Sequence, residues 1–308
     1  TVIDIACSAC LASRYLVTNA CRGCLGRPCQ TNCPKDAVDV VGGRAVINPD
    51  LCVNCGLCLK VCPYNAVIRM PVPCEEACPF TAISKDAAGR EVIDYEKCTD
   101  CGLCARACPF AAIQERSQII DVLKKLKSGR KTVALLAPSV VGQFSGSLNQ
   151  LAGALKKAGF AQVEEVAVGA DETARCEAVE WQERMAAGDP FMTTSCCPAY
   201  VNAVNRHLPE LKKFVSHTPT PMAFSARRAK AAHPDAVIVF IGPCLAKRAE
   251  GLSHPDVDHV LTFDELGAIL EAAGVDVKAC APEPMNQQAK PEGLGFPVSG
   301  GVARAVQA

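Results

Sequence analysis

Two stretches of the chain repeat one arrangement of thiols, Cys52-x2-Cys55-x2-Cys58-x3-Cys62-Pro63 and Cys98-x2-Cys101-x2-Cys104-x3-Cys108-Pro109. Three cysteines at this spacing put three thiolates on one tight loop, which suits three irons of a [4Fe-4S] cube. The fourth, followed by proline, turns away and serves the other cube of a pair. Each run therefore requires a partner segment. Cys21-x2-Cys24-x4-Cys29-x3-Cys33-Pro34 is the same pattern with two extra residues before its third cysteine. It predicts one site of Cys52, Cys55, Cys58 and Cys33, and another of Cys21, Cys24, Cys29 and Cys62. For the second run, Cys74-x3-Cys78-Pro79 lacks a leading pair, and the unassigned pair of the right spacing is Cys7-x2-Cys10. A third site would then use Cys98, Cys101, Cys104 and Cys78, and a fourth Cys108, Cys74, Cys7 and Cys10.

Four-thiolate zinc is the competing chemistry, since zinc sites also use Cys-x2-Cys, but they do not need an x2-x2-x3 run ending twice in Cys-Pro. For Cys7 and Cys10 a zinc site or a free thiol pair stays open. The two full runs match the bacterial ferredoxin pattern. Two to four such clusters in tandem make a relay for single electrons, which implies a redox centre at one end.

The elements that position these residues divide the chain. Sixteen of the 21 cysteines lie between Cys7 and Cys108, among short β signals such as 37–41 and 44–47 set between Gly and Pro turns. Later, 131–136, 162–168, 191–194 and 236–241 read as strands, separated by helical patterns at 147–158, 171–187, 198–207 and 263–273. This is the alternation of a parallel, sheet-centred α/β domain. The expectation is α+β ferredoxin-like cluster domains over 1–116, followed by an α/β domain over 117–308. Three strand ends carry unusual residues: Ala137-Pro138-Ser139, Ser195-Cys196-Cys197-Pro198 and Gly242-Pro243-Cys244. Ligands of open α/β sheets sit at such carboxyl ends, so the three turns are expected to converge on one crevice.

At 308 residues and 49% hydrophobic composition the chain has material for two packed domains. Its 32 basic and 32 acidic residues cancel without runs of like charge, which gives no footprint for nucleic acid or a membrane surface. No apolar stretch is long enough for a membrane span, and no export signal opens the sequence, so the reading is cytoplasmic. Length, the missing signal and ligand-like spacing argue against a disulfide framework. Thr1 and Ala308 both look like cut ends.

Thr194-Ser195-Cys196-Cys197-Pro198-Ala199-Tyr200, together with Gly242-Pro243-Cys244-x2-Lys247-x2-Glu250, resembles the first two active-site signatures of the [FeFe]-hydrogenases, in a group B-like version. The likeness extends to Gly169-Ala170-Asp171, to 258–262 and to 296–302. It implies a truncated [FeFe]-hydrogenase-type catalytic domain in an anaerobic oxidoreductase that interconverts protons and H2 and exchanges electrons with a redox partner such as a ferredoxin. By the same resemblance Cys197 and Cys244 ligate the cubane of the H-cluster, and Cys196 faces its diiron part as proton donor. Ser139 and Lys247 hydrogen-bond a cyanide ligand, with Pro138, Pro243 and Glu250 lining the site. Adjacent cysteines in an apolar segment are otherwise often inert core thiols, and Lys247 with Glu250 reads equally as a surface i,i+3 pair.

The third signature, with the remaining cubane ligands, is expected after Gly300-Gly301-Val302, where the chain stops at Ala308. H2 turnover is thus expected of a complete protein, with a further C-terminal segment or a completing chain. Gly242 stands where many members have Met, and Pro221 where many have a glutamine. Glu177 and Glu180 are the nearby proton-path candidates, without a choice between them. Cys176 and Cys280 match no site. A non-catalytic carrier for iron-sulfur assembly and an electron-transfer subunit are the alternative functions.

Overall fold

The computed structural model describes residues 1–7, 10, 15–285 and 289–308. The chain divides into two units, 1–98 with 103–114, and 99–102 with 115–308.

The first unit contains short elements tied to tight turns. Its strands are β1 Tyr15–Val17, β2 Val38–Val41, β3 Arg44–Ile47, β4 Val67–Arg69, β5 Ile83–Lys85 and β6 Glu91–Ile93, and its helices α1 Asp4–Cys7, α2 Pro28–Thr31, α3 Leu57–Lys60, α4 Pro73–Glu76 and α5 Leu103–Ala107. They form two modules. In the first, β1 pairs antiparallel with β4 and β2 with β3 around Cys29, Val38, Ala45, Cys58 and Val67. In the second, β5 pairs with β6 around Val72, Cys74, Ile83 and Ile113. The missing outer pair of this second module comes from the start of the chain. Val2 bridges Ile113 antiparallel, Ile3 N donates to Ala112 O at 2.7 Å, and Gln114 N donates to Thr1 O at 2.9 Å. Residues 15–69 are therefore an insertion within the second module, which places Cys7 and Cys10 beside 72–114 rather than beside their sequence neighbours.

The second unit is a parallel sheet in the order β10-β9-β7-β8, with β7 Thr132–Leu136, β8 Gln162–Glu165, β9 Val237–Ile241 and β10 His259–Leu261. Every residue of β7 and β9 is buried, as expected for central strands covered on both faces. The surrounding helices are α6 Ile119–Lys127, α7 Leu148–Lys157, α8 Ala167–Ala186, α9 Pro198–His207, α10 Pro221–Ala232, α11 Ala246–Ser253, α12 Phe263–Ala272, α13 Pro291–Leu294 and α14 Gly301–Gln307. Capping boxes at Ser147 with Gln150 and at Thr262 with Glu265 start α7 and α12. α8 and α10 approach so closely that a Cβ on Gly169 would lie 2.3 Å from Pro221 O, which explains that glycine. Two residues on, the Asp171 carboxylate accepts from Lys290 N at 2.8 Å and Gly293 N at 2.9 Å, fixing the start of α13. No helix of the described residues is long and apolar enough to cross a membrane.

One expected strand is absent from this sheet. Of residues 191–194, Thr193 alone makes a bridge, parallel to Val215, with Thr193 N donating to Phe214 O and Ser216 N to Thr193 O. The segment has no sheet neighbour because its remaining polar groups turn to a helix, as described below. The strand expected over 162–168 ends at Glu165, where α8 begins four residues earlier than the helical pattern suggests.

Candidate functional site

The cysteine loops of the first unit are built by one repeated turn. Each Cys-Pro is followed at the third position by a left-handed residue, Asp36 (φ 48°), Asn65 (φ 50°), Thr81 (φ 48°) or Ala111 (φ 50°). That conformation costs a residue with a Cβ roughly 1–2 kcal/mol. It aims the next amide at the thiol: Ala37 N donates to Cys33 Sγ at 3.2 Å, and Ala66 N to Cys62, Ala82 N to Cys78 and Ala112 N to Cys108 at 3.3 Å. All four alanines are buried, leaving no room for a larger side chain. Amide donors of this kind stabilise a thiolate, and they lower the Cys21 thiol from its usual range through Ala45 and Gly23.

Side chains far apart in sequence gather in these loops. Cys29 lies within electrostatic reach of Cys24 and Cys62, and Cys58 of Cys52 and Cys55. Cys10 is within reach of Cys7 and Cys108, and Cys74 of Cys10 and Cys108. The N-terminal pair thus joins Cys74 and Cys108. Burial, then the nearby Glu91, pushes the Cys74 thiol up to about 12, so its use as a ligand requires iron to displace the proton.

In the second unit, β7 runs into the single 3-10 turn Pro138–Val140, with Pro138 and Ser139 half-buried. β9 runs through Gly242 to an exposed Pro243 and a half-buried Cys244. A Cβ on Gly242 would lie 2.6 Å from the Phe240 ring, which fills the space of any side chain there. Cys197 is exposed at the start of α9, beside Pro198 at the first helical position. Pro221 likewise opens α10 behind its cap Thr220, whose hydroxyl donates to Glu250. Lys247 Nζ lies 2.7 Å from Glu250 Oε2 with their side chains only 12% and 17% exposed, so the pair is not a surface one.

Cys196 stands between two charges. Burial raises its thiol above the usual value; Glu177 pushes the same way, and Lys247 and the Thr194 hydroxyl oppose them. The polar groups that keep 191–194 out of the sheet lead from this thiol inward. Cys196 N donates to Thr194 Oγ1 at 3.3 Å, and Thr194 Oγ1 donates to Glu177 Oε1 at 2.8 Å. Ser216 is within hydrogen-bonding reach of Glu177 and donates to Glu180 Oε2 at 2.6 Å. Arg184 Nη2 completes the row at 2.7 Å from Glu180 Oε1. Glu177 is fully buried, and desolvation raises its carboxyl. Glu180, though partly desolvated, is held down to about 2 by donors from Ser216, His217, Thr218 and Arg184. The sequence pattern left Glu177 and Glu180 unresolved. Ser216 and Arg184 were not singled out, although Arg184 at the i+4 position from Glu180 was a local signal. A cavity of about 410 Å³ opens beside Glu177, lined among others by Trp181, Met192 and Val302. Cys280 packs in the core and Cys176 is partly exposed on α8.

Comparison with known proteins agrees with this division. Residues 130–308 match the family of the iron only hydrogenase large subunit, C-terminal domain, and residues 45–68 and 91–114 match the 4Fe-4S binding domain. The first unit therefore carries [4Fe-4S] clusters. The chain is 29% identical over 312 residues to iron hydrogenase 1 of Clostridium pasteurianum, covering 88% of this chain and 52% of that protein. It is 29% identical over 294 residues to the NADP-reducing hydrogenase subunit HndD of Solidesulfovibrio fructosivorans, covering 83% and 42%. It spans about half the length of the curated relatives it matches. The solved [FeFe]-hydrogenase HydA(deltaEFG) superposes with TM-score 0.51 at 27% identity, over 56% of this chain and 51% of that one. The apo [FeFe]-hydrogenase of Chlamydomonas reinhardtii gives 0.50 at 26%, over 56% and 52%. Ferredoxin-type cluster loops ahead of a parallel sheet with Cys244 at one of its strand-end turns, in a chain matched over more than half its length by one family, make it a member of the iron-only hydrogenases.

Proposed function

We propose that the full protein, of which this chain supplies part of the active site, reversibly converts two protons and two electrons into H2, with the first unit delivering electrons and Cys196 delivering protons. The reading is carried by one observation: Cys196, a thiol kept protonated by burial, stands between Lys247 and a continuous row of Thr194, Glu177, Ser216, Glu180 and Arg184.

The donors present fit part of an H-cluster, whose remaining cubane ligands are expected of the complete protein. Cys197 and Cys244 would hold its cubane as thiolates, while Cys196 keeps its proton, because a thiol tied to iron cannot shuttle one. When bound, the group supplies the redox-active iron at which protons and electrons combine. Lys247 presents a half-buried cation oriented by Glu250, and Ser139 a hydroxyl, both suited to a charged cyanide ligand. Pro138 and Pro243 shape the two strand-end turns, and Glu250 in turn is held by Thr220. Glu177, whose carboxyl is raised by burial, accepts from Thr194 and is the group that holds a proton for Cys196, while Ser216 ties it to Glu180, which stays ionised against Arg184.

Along residues 7–108 the four cluster sites are Cys52, Cys55, Cys58 and Cys33; Cys21, Cys24, Cys29 and Cys62; Cys98, Cys101, Cys104 and Cys78; and Cys108, Cys74, Cys7 and Cys10. A small one-electron carrier such as a ferredoxin is the partner. A pure cluster carrier has no use for the Cys196 row, which favours catalysis over the assembly reading. Infrared spectra of the anaerobically matured full-length protein test the proposal: carbonyl and cyanide bands are expected, and a cluster-loaded full-length protein without them would refute it.

A further inference from the structure

The two cluster modules repeat each other closely enough for comparison, and one difference between them is a buried ion pair. Ala45 N on β3 donates to Cys21 Sγ at 3.4 Å, and Glu91 N on β6 donates to Cys7 Sγ at 3.3 Å, so the two strands stand in the same relation to their leading cysteines. The hairpin registers agree. Val38 opposite Ile47 corresponds to Ile83 opposite Ile93, and Val40 opposite Ala45 corresponds to Lys85 opposite Glu91. Where the first module has two apolar side chains, the second has an ion pair, with Lys85 Nζ 2.9 Å from Glu91 Oε1.

This pair is out of water. The Glu91 side chain is 1% exposed and that of Lys85 17%, and among the described residues the Glu91 oxygens have no hydrogen-bonded partner beyond that ion pair. Such a pair is a poor device for stability, because desolvation offsets its attraction and apolar residues of similar size do as well or better. Val40 and Ala45 show that the hairpin does not need it. Both charges instead act on the thiols beside them: Lys85 on Cys10 and Cys7, and Glu91 on Cys10 and Cys74. Fixed charges at such range in a poorly solvated site are little screened, and local charge is one of the determinants of a cluster's potential.

We propose that the Lys85–Glu91 pair is an electrostatic control element that sets the reduction potential of the cluster at Cys7, Cys10, Cys74 and Cys108 apart from that of its twin at Cys21, Cys24, Cys29 and Cys62. The inference rests on the ligand assignment given under the proposed function. Glu91 opposes the arrival of an electron on that cluster and Lys85 favours it, so the two residues are opposed handles on one potential.

Anaerobic redox titration of the full chain, followed by electron paramagnetic resonance, tests it. The cluster concerned is identified as the one whose signal and iron are lost in Cys10→Ala. Glu91→Gln should shift that cluster's reduction equilibrium at least tenfold toward the reduced state, about 59 mV for a one-electron couple. Lys85→Met should shift it the other way by an unequal amount, the difference being the net effect of the pair. The double change Lys85→Val with Glu91→Ala, which copies the first module, should bring its potential toward the twin's while iron content stays constant. The other clusters should stay within a few-fold of their wild-type equilibria. A merely structural pair would lower the melting temperature of these variants and leave every potential in place, which would overturn the inference. Unchanged iron in Cys10→Ala would overturn the ligand assignment, and the inference with it.

Discussion

The two units hold their functional residues by different means. In the first, cysteines are placed by tight turns, and the packed cores are Cys29, Val38, Ala45, Cys58 and Val67 in one module and Val72, Cys74, Ile83 and Ile113 in the other, so that several core residues are themselves proposed ligands. In the second, the proposed site residues sit at strand ends and helix starts around a sheet whose core, including Leu135, Leu155, Ile238, Ile241 and Leu266, contains none of them. Where ligands double as core, the free energy of cluster binding is folding free energy. Where an apolar sheet carries the site, the scaffold stands without its cofactor.

The largest effect expected from this contrast is on folding. Removing iron with an anaerobic chelator should abolish slow hydrogen exchange across the first unit while leaving β7 and β9 protected. Equal loss in both units would break the distinction. Next in size is chemistry at the second site. Cys196→Ala should lower H2 turnover of the complete, matured protein by about a hundredfold or more. Iron content should not change, whereas Cys62→Ala should lose a cluster and leave the sheet intact.

A smaller effect separates the two carboxylates of the Cys196 row. The folded value of Glu180 is depressed to about 2, so its contribution is present above the unfolded value of about 4 and is lost as the pH falls through that range. Glu180→Gln should remove roughly 2 kcal/mol of stability at neutral pH and flatten acid unfolding between those values. Glu177 works with the opposite sign. Burial raises its folded value, so stability due to Glu177 falls as the pH rises through the unfolded value toward the folded one. Glu177→Gln should therefore not reproduce that acid-range loss, and denaturant titrations at several pH values check both. The smallest change is at the sheet's periphery, where Ser147→Ala removes the capping box of α7 and should cost about 1 kcal/mol without altering iron content or turnover.

The same contrast governs how much could be read from the amino-acid order. The cysteine loops were legible because their geometry is local: Cys-Pro followed by a buried alanine four residues after the cysteine is a turn written in consecutive residues. α9 was legible for the same reason, with Pro198 at its first position and a helical spacing to His207. Residues 191–194 have the composition of a strand, but composition does not name a neighbour, and their polar groups bond to Glu177 and to the segment around Val215 instead. α10, rich in Arg, Lys and Ala, and the three-residue β10 carried too little periodicity to stand out. The link from Glu177 through Ser216 to Glu180 joins residues more than thirty positions apart, and Lys85 meets Glu91 only through the hairpin register. Neither has a local signature. The insertion of one module into the other was legible only indirectly, as a Cys-x2-Cys pair left without partners.

In the proposed arrangement, thiols scattered along residues 7–108 close into cages for iron and sulfide, with Cys7 and Cys10 completing the last cage. Counting iron, acid-labile sulfide and zinc in anaerobically purified wild type and Cys10→Ala tests this most directly. The account predicts iron and sulfide in equal amounts, without zinc, and a loss of about four irons in the variant. Zinc in place of iron, or the same iron content in both proteins, would contradict it.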